Sequence, residues 1–201
     1  WKPIPHLGLR TRRVSAAGSH DLLMTSAAFS VHPTPVGDAL IVVTDEGLVS
    51  LDVLDAPQEA ALEHVSHALH AVPTHEPAAT AHVTRQLDEY FAGRRRDFDV
   101  PFDWRLTRGF TRAALEAVCR IPYGETASYA EVAISAGFPG ANRAAGTACA
   151  RTPISIVVPV HRVVRADGSI GEYGGHPDRK RFLLDLESRG RVKVEEESAR
   201  E

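Results

Sequence analysis

His161 and Arg162 stand side by side in an otherwise apolar stretch, Ile156-Val157-Val158-Pro159-Val160-His161-Arg162-Val163-Val164. An imidazole can take or release a proton near neutral pH, and a guanidinium can hold a carboxylate or a phosphate. Val160, just before them, has no lone pair and cannot form a thiolate. The chain's two thiols are Cys119 and Cys149. Each falls near the end of an expected helix and reads as a small buried apolar residue. His64, His67, His70, His75 and His82 cluster in the first half. The first three are spaced i, i+3, i+6, but no thiolate or carboxylate completes a metal site, so they read as incidental surface residues. No metal and no cofactor are expected.

The bulk properties narrow the class. The 201 residues are 43% hydrophobic and 24% charged, which suits one large globular domain or two small ones. No run reaches the roughly 18–20 apolar residues of a membrane span, and the N-terminus lacks the layout of a secretory signal. Two cysteines make no disulfide framework, so a reducing cytoplasm is the expected location. The net charge of −3 argues against nucleic acid, but its distribution does not. Residues 1–104 carry 8 Lys/Arg against 14 Asp/Glu, residues 105–193 carry 14 against 8, and residues 194–201 carry 1 against 4. A basic half on an acidic half fits a one-sided nucleic-acid surface; ordinary solvated charge fits equally well.

The elements that would position these residues follow from pattern. Residues 1–23 read as a tag remnant around Gly18-Ser19-His20, with the natural chain starting near Met24; a basic arm carrying Arg10, Arg12 and Arg13 is the alternative. Residues 39–54 predict two strands around Asp45-Glu46-Gly47. Helices are expected over 58–72 and 79–92, broken between by Val72-Pro73 and Glu76-Pro77. Residues 94–104 form a connector. Beyond it come helices over 111–119, over 127–136 with Thr126 as N-cap, and over 141–150. Gly137-Phe138-Pro139-Gly140 makes the tight turn of a helix-turn-helix. A short buried strand or extended segment over 154–158, a Gly-rich loop over 165–175 and a helix over 177–188 complete the chain. The result is an α/β N-terminal domain over 24–104, a mainly α C-terminal domain over 105–190, and a charged tail over 191–201.

Several blocks recur in a family's order and spacing. They are Ile121-Pro122-Tyr123-Gly124-Glu125-Thr126 with Ser128-Tyr129, Gly137-Phe138-Pro139-Gly140-Ala141 with Arg143-Ala144-Ala145-Gly146, Pro159-Val160-His161-Arg162-Val163, Gly171-Glu172-Tyr173-Gly174-Gly175, and Lys180 through Leu183-Leu184 to Glu187. Upstream, Gln86-Leu87-Asp88-Glu89-Tyr90-Phe91-Ala92-Gly93 and Phe98-Asp99-Val100-Pro101 fit the junction of two domains, and Thr34-Pro35-Val36-Gly37 fits the opening of the first. Over roughly residues 30–190 the chain resembles the O6-alkylguanine-DNA alkyltransferases. These move an alkyl group from guanine to a cysteine between the proline and the His-Arg pair.

The resemblance places Val160 at the acceptor position, so it implies a reader of alkylated bases without transfer chemistry. In the family a histidine reaches a glutamate through water to activate the thiol; His161 and Glu187 occupy those places, with a structural role expected here. An asparagine usually braces the site eight residues before the cysteine; here that residue is Thr152. The resemblance gives Arg143 the gap left by a flipped nucleotide and Tyr129 the 3′ phosphate. Tyr173 would flank the base, and Pro159, Val160 and Cys149 would line its pocket. Small residues of the 141–150 helix, Ala141, Ala144 and Gly146 among them, would let its backbone approach a minor groove, or equally pack in a core. Arg151, Arg162 and Arg165 would meet phosphates. The implied partner is double-stranded DNA containing O6-alkylguanine, bound by a monomer that flags lesions for excision-repair proteins, by analogy with cysteine-less relatives. Two readings stay open beside it: a methyltransferase acting through Cys149 or with its cysteine replaced, and a scaffold that has lost DNA binding.

Overall fold

A computed structural model describes residues 26–198, with backbone alone over 191–198. The expectations for residues 1–23 lie outside the described residues. The first half is a four-stranded sheet in the order β3-β2-β1-β4, built from β1 (Ala27–Thr34), β2 (Gly37–Thr44), β3 (Leu48–Val53) and β4 (Thr74–His75). β1, β2 and β3 pair antiparallel, whereas β4 runs parallel to β1. The expected hairpin is β2 and β3; β1 was not singled out from sequence.

Both faces of this sheet are covered, which is why β2 reads as an almost unbroken apolar run. α1 (Gln58–Leu69) packs Val65 and Leu69 against Phe29, Leu40, Val42 and Val49 on one face. α2 (Pro77–Phe91) packs Val83, Leu87 and Tyr90 against the other face, beside Ile41 and Leu51. Pro77 suits the first turn of α2, where a missing N–H costs nothing. This second core runs without a break into the C-terminal half, through Leu115, Val118, Ile154 and Leu183.

The halves are joined along the edge strand β3. Leu48 N donates to Pro101 O at 2.8 Å and Asp103 N to Leu48 O at 2.9 Å. Further along, Leu51 N donates to Pro153 O at 2.8 Å and Ser155 N to Leu51 O at 2.7 Å. An otherwise unpaired edge is thereby closed, at one end by the connector and at the other by the second half of the chain. Gly47 is required at this seam: its φ is +140°, and a Cβ there would stand 2.2 Å from the Pro101 carbonyl oxygen.

The second half consists of α3 (Gly109–Val118), α4 (Tyr129–Ser135), α5 (Asn142–Ala150) and α6 (Pro177–Ser198), with a two-residue parallel pair, β5 (Ala127–Ser128) and β6 (Val163–Val164). The architecture is the expected α/β domain followed by a mainly helical one. Three local expectations are corrected. Ser128, not Thr126, caps α4, in a reciprocal pair: its Oγ accepts from Glu131 N at 3.2 Å, and Glu131 accepts from Ser128 N at 2.7 Å. Residues 154–158 form no strand, because after the Ser155–Leu51 bond the backbone turns inward through Ile156 at φ +68°. α6 runs on to Ser198, beyond the expected residue 188, through good helix formers such as Lys193 and Glu195.

Candidate functional site

The inward turn at Ile156 delivers Val160, His161 and Arg162 to the interior as one turn of 3-10 helix. His161 is fully buried, and its Nε2 lies 2.9 Å from Glu187 Oε1 with no room for an intervening water. Tyr90 donates its hydroxyl to the same oxygen at 2.7 Å. Gly124 N donates to Oε2 at 2.9 Å. Arg162 holds the carboxylate with both edges of its fork, Nε to Oε2 at 2.9 Å and Nη2 to Oε1 at 3.0 Å, and spends Nη1 on Ile121 O at 2.6 Å. Burial opposes ionisation of Glu187, but the bonds from His161 and Arg162 outweigh it and hold the carboxyl down at about 2. Burial lowers the pKa of His161 despite the neighbouring carboxylate. Nε2 therefore carries the proton it gives to Glu187, and Nδ1, buried and without a partner among the described residues, keeps a bare lone pair.

This arrangement corrects one expectation. Arg162 is not a phosphate contact, because its guanidinium is buried and committed to Glu187 and Ile121. Tyr123 is stacked between Arg96 and Arg162, at 5.6 and 5.7 Å from ring centroid to guanidinium carbon.

In front of the relay lies a pocket of about 150 Å³. Val160 and Cys149 contribute its apolar part, and Tyr129, Gly146 and Tyr173 stand around them. Burial pushes the Cys149 thiol up to about 11, against the pull of Lys180. Near pH 7 only about one molecule in ten thousand would then be a thiolate there. Lys180 is itself buried; it donates to Val163 O at 2.5 Å, and burial brings it down to about 8. Pro159 departs from expectation: it faces a different cavity of about 180 Å³ beside Cys119 and Phe98, because the turn at Val160 directs consecutive side chains to opposite sides. Thr152 is also outside the pocket. Its hydroxyl accepts from Ile154 N at 3.3 Å, bracing the entry to the turn, and it lines a cleft of about 600 Å³ with Arg151 and α1.

The outer wall of the pocket comes from the N-terminal half and was not foreseen. Asp52 and Val53 at the end of β3, and Asp55 just after it, line the pocket. Asp55 grips the Gly-rich loop and the start of α6 through His176 Nε2 at 2.9 Å and Arg179 Nη2 at 2.6 Å. No local motif marks these residues, and only the pairing of β3 with residues 153–155 brings them to the site. Tyr90 was missed as a partner of Glu187 for the same reason.

Beside the pocket, α5 exposes Arg143, Ala144, Thr147 and Ala150, and buries Ala145, Ala148 and Cys149. Tyr129 packs under Gly146, where an added Cβ would meet the ring at 3.8 Å. Arg151 is exposed at the helix end and Ala141 half-buried at its start. The 6-O-methylguanine DNA methyltransferase DNA-binding domain matches residues 109–189, and that family's ribonuclease-like domain matches residues 28–104. The chain belongs to the O6-methylguanine-DNA methyltransferase family. It is 40% identical over 154 residues to a methylated-DNA–protein-cysteine methyltransferase of Mycobacterium tuberculosis, covering 77% of this chain and 88% of that protein. It is 36% identical over 159 residues to one of Methanosarcina barkeri, covering 79% and 96%. The crystal structure of the M. tuberculosis protein in complex with DNA superimposes with a TM-score of 0.70 at 37% identity, covering 81% and 94%. Membership of this methyltransferase family gives the pocket its context: Val160, at its floor, stands where the resemblance expects the acceptor cysteine.

Proposed function

We propose that this methyltransferase-family protein binds O6-alkylguanine in duplex DNA without taking the alkyl group. The observation that carries the reading is Val160 at the floor of the pocket, beside an intact and fully bonded His161–Glu187 relay. The lone pair of His161 Nδ1 has no acidic proton to collect from a valine. In this reading α4 and α5 act as a DNA-reading helix-turn-helix. The small exposed face of α5 lies along the minor groove, and Arg143 fills the stack after the nucleotide has rotated outward past Tyr129. Tyr173 flanks the flipped base. Each further buried methylene of the adduct adds about 0.8 kcal/mol against Val160 and Cys149 until the pocket is full. Bound as a monomer in a reducing cytoplasm, the protein flags the lesion for repair proteins.

A second reading has one observation in its favour: Cys149 lines the same pocket and could accept the alkyl group. Its raised pKa speaks against it. The two separate by intact mass after incubation with duplex containing O6-methylguanine, alongside an affinity measurement on modified and plain duplex at one ionic strength. Tighter binding to the modified duplex with unchanged mass is expected. A protein heavier by one methyl would refute transfer-free binding, and equal affinities would refute lesion recognition.

A further inference from the structure

The pocket is lined by two chemically different sets of side chains. Val160 and Cys149, with Val53, are apolar and suit the stem of an alkyl group. Asp52 and Asp55 from the N-terminal half and Glu172 from the Gly-rich loop are acidic. Asp55 is neutralised by His176 and Arg179 at 2.9 and 2.6 Å. Asp52 and Glu172 have no ion-pair partner among the described residues, and both are exposed to the pocket mouth. An independent sign of a missing partner lies between them. Tyr173 lines the same pocket, and its hydroxyl oxygen, buried beside it, has no hydrogen-bond partner among the described residues. A buried hydroxyl without a partner costs on the order of 1–3 kcal/mol, so an occupant that satisfies it is favoured.

Asp52 accepts a backbone hydrogen bond from Val53 and feels Arg179 at longer range, but neither it nor Glu172 is held in an ion pair among the described residues. Carboxylates so placed in a pocket beside a DNA-binding helix repel the phosphate backbone and lower affinity for every duplex. They are useful where the group that enters is not anionic and offers protons. Resting on the lesion-binding reading above, we infer that the pocket favours O6 substituents that end in a cationic or hydrogen-bond-donating group. The alkyl stem lies on Val160 and Cys149, and the terminal group meets Asp52, Glu172 and the Tyr173 hydroxyl. Substituents ending in a carboxylate are excluded by the same wall. Specificity for the chemical end of the adduct thus comes from the N-terminal half, while the stem is read by the C-terminal half.

The test uses four duplexes identical but for one guanine, which is plain or carries an O6-aminopropyl, O6-butyl or O6-carboxyethyl group. Affinities of the full chain are measured by fluorescence anisotropy at one ionic strength. The aminopropyl duplex should bind about tenfold tighter than the butyl duplex, the worth of one charge-assisted hydrogen bond, and the carboxyethyl duplex weaker than either. In the double variant Asp52→Asn, Glu172→Gln the aminopropyl-to-butyl ratio should fall close to one, and comparing the two proteins on the same duplexes cancels any contribution from the altered charge of the DNA itself. Thermal unfolding of the variant confirms that it is folded. Equal affinity for aminopropyl and butyl, or a ratio unchanged in the variant, overturns the inference while leaving lesion binding in place. If no adduct binds better than plain guanine, lesion binding itself is refuted, and this inference with it.

Discussion

Two regions meet at Val160 and differ in kind. Behind it, the His161–Glu187–Arg162–Tyr90 cluster is buried and hydrogen-bonded at nearly every polar atom. In front of it lies an open pocket lined by Asp52 and Glu172, which form no ion pair among the described residues, and by Tyr173, whose buried hydroxyl has no partner among them. The cluster behind needs no ligand to be complete, because Glu187 is satisfied by its own neighbours, and so it persists as structure when no thiol remains to be activated. The pocket in front is tied together only at one side, where Asp55 holds His176 and Arg179. On the proposed reading, a valine at position 160 therefore leaves the cluster intact and the pocket supported.

Restoring that atom gives the largest expected effect. Val160→Cys exchanges side chains of similar bulk and should cost under about 1.5 kcal/mol in stability. Its thiol would stand next in the chain to His161, a base oriented by Glu187 and with Nδ1 unpartnered among the described residues. Incubation with duplex containing O6-methylguanine should change from no mass gain to one methyl per protein. If the variant folds and binds the lesion but gains no methyl, the relay has lost its catalytic geometry, and the contrast between a preserved back and a changed front fails.

The next effect is on stability. Glu187→Ala strips two buried groups, Arg162 and His161, of the carboxylate that holds them. Such orphaned buried charge typically costs about 3–5 kcal/mol, measurable by urea unfolding without DNA. The wild type carries the same information in its pH dependence. The Glu187 carboxyl is held at about 2 in the folded chain against an ordinary 4.5. Its stabilisation is therefore complete above about pH 4.5 and disappears as the pH falls through about 2. His161 acts earlier: burial lowers its pKa, so stability begins to fall once the pH drops below its ordinary 6.5. The acid-side loss from Glu187 should vanish in Glu187→Ala, and a loss that persists unchanged would assign it to another carboxyl.

Much of this division was legible in sequence, but unevenly. The residues of the front proposed to meet DNA, Arg143 and Tyr129, and the small face of α5 stand in short local blocks, where spacing along one or two helices decides position. His161 and Glu187 were paired correctly across 26 residues. Arg162 was misread because an arginine after a histidine looks like surface charge, and only the burial of Glu187 makes it structural. Pro159 was misplaced because the chain turns at Ile156, which is left-handed, and again at Val160, and a run of Ile and Val does not announce either turn. The acidic wall could not be seen at all, since Asp52 and Val160 are brought together by the β3 edge pairing with residues 153–155.

The smallest of these effects belongs to Arg143, and it tests the front alone. Arg143 is exposed on α5, and removing its side chain should leave the unfolding midpoint within about 0.5 kcal/mol of the parent. Arg143→Ala should nevertheless weaken binding to the alkylated duplex by about tenfold, because nothing then fills the stack from which the base has rotated. Binding to plain duplex, which needs no extruded base, should weaken less, by about the worth of one phosphate contact. The diagnostic quantity is thus the ratio of the two losses at one salt concentration. A uniform loss would make Arg143 a phosphate contact and nothing more, and no loss on either duplex would mean that α5 does not meet DNA, leaving the pocket without the flipped base it is here taken to receive.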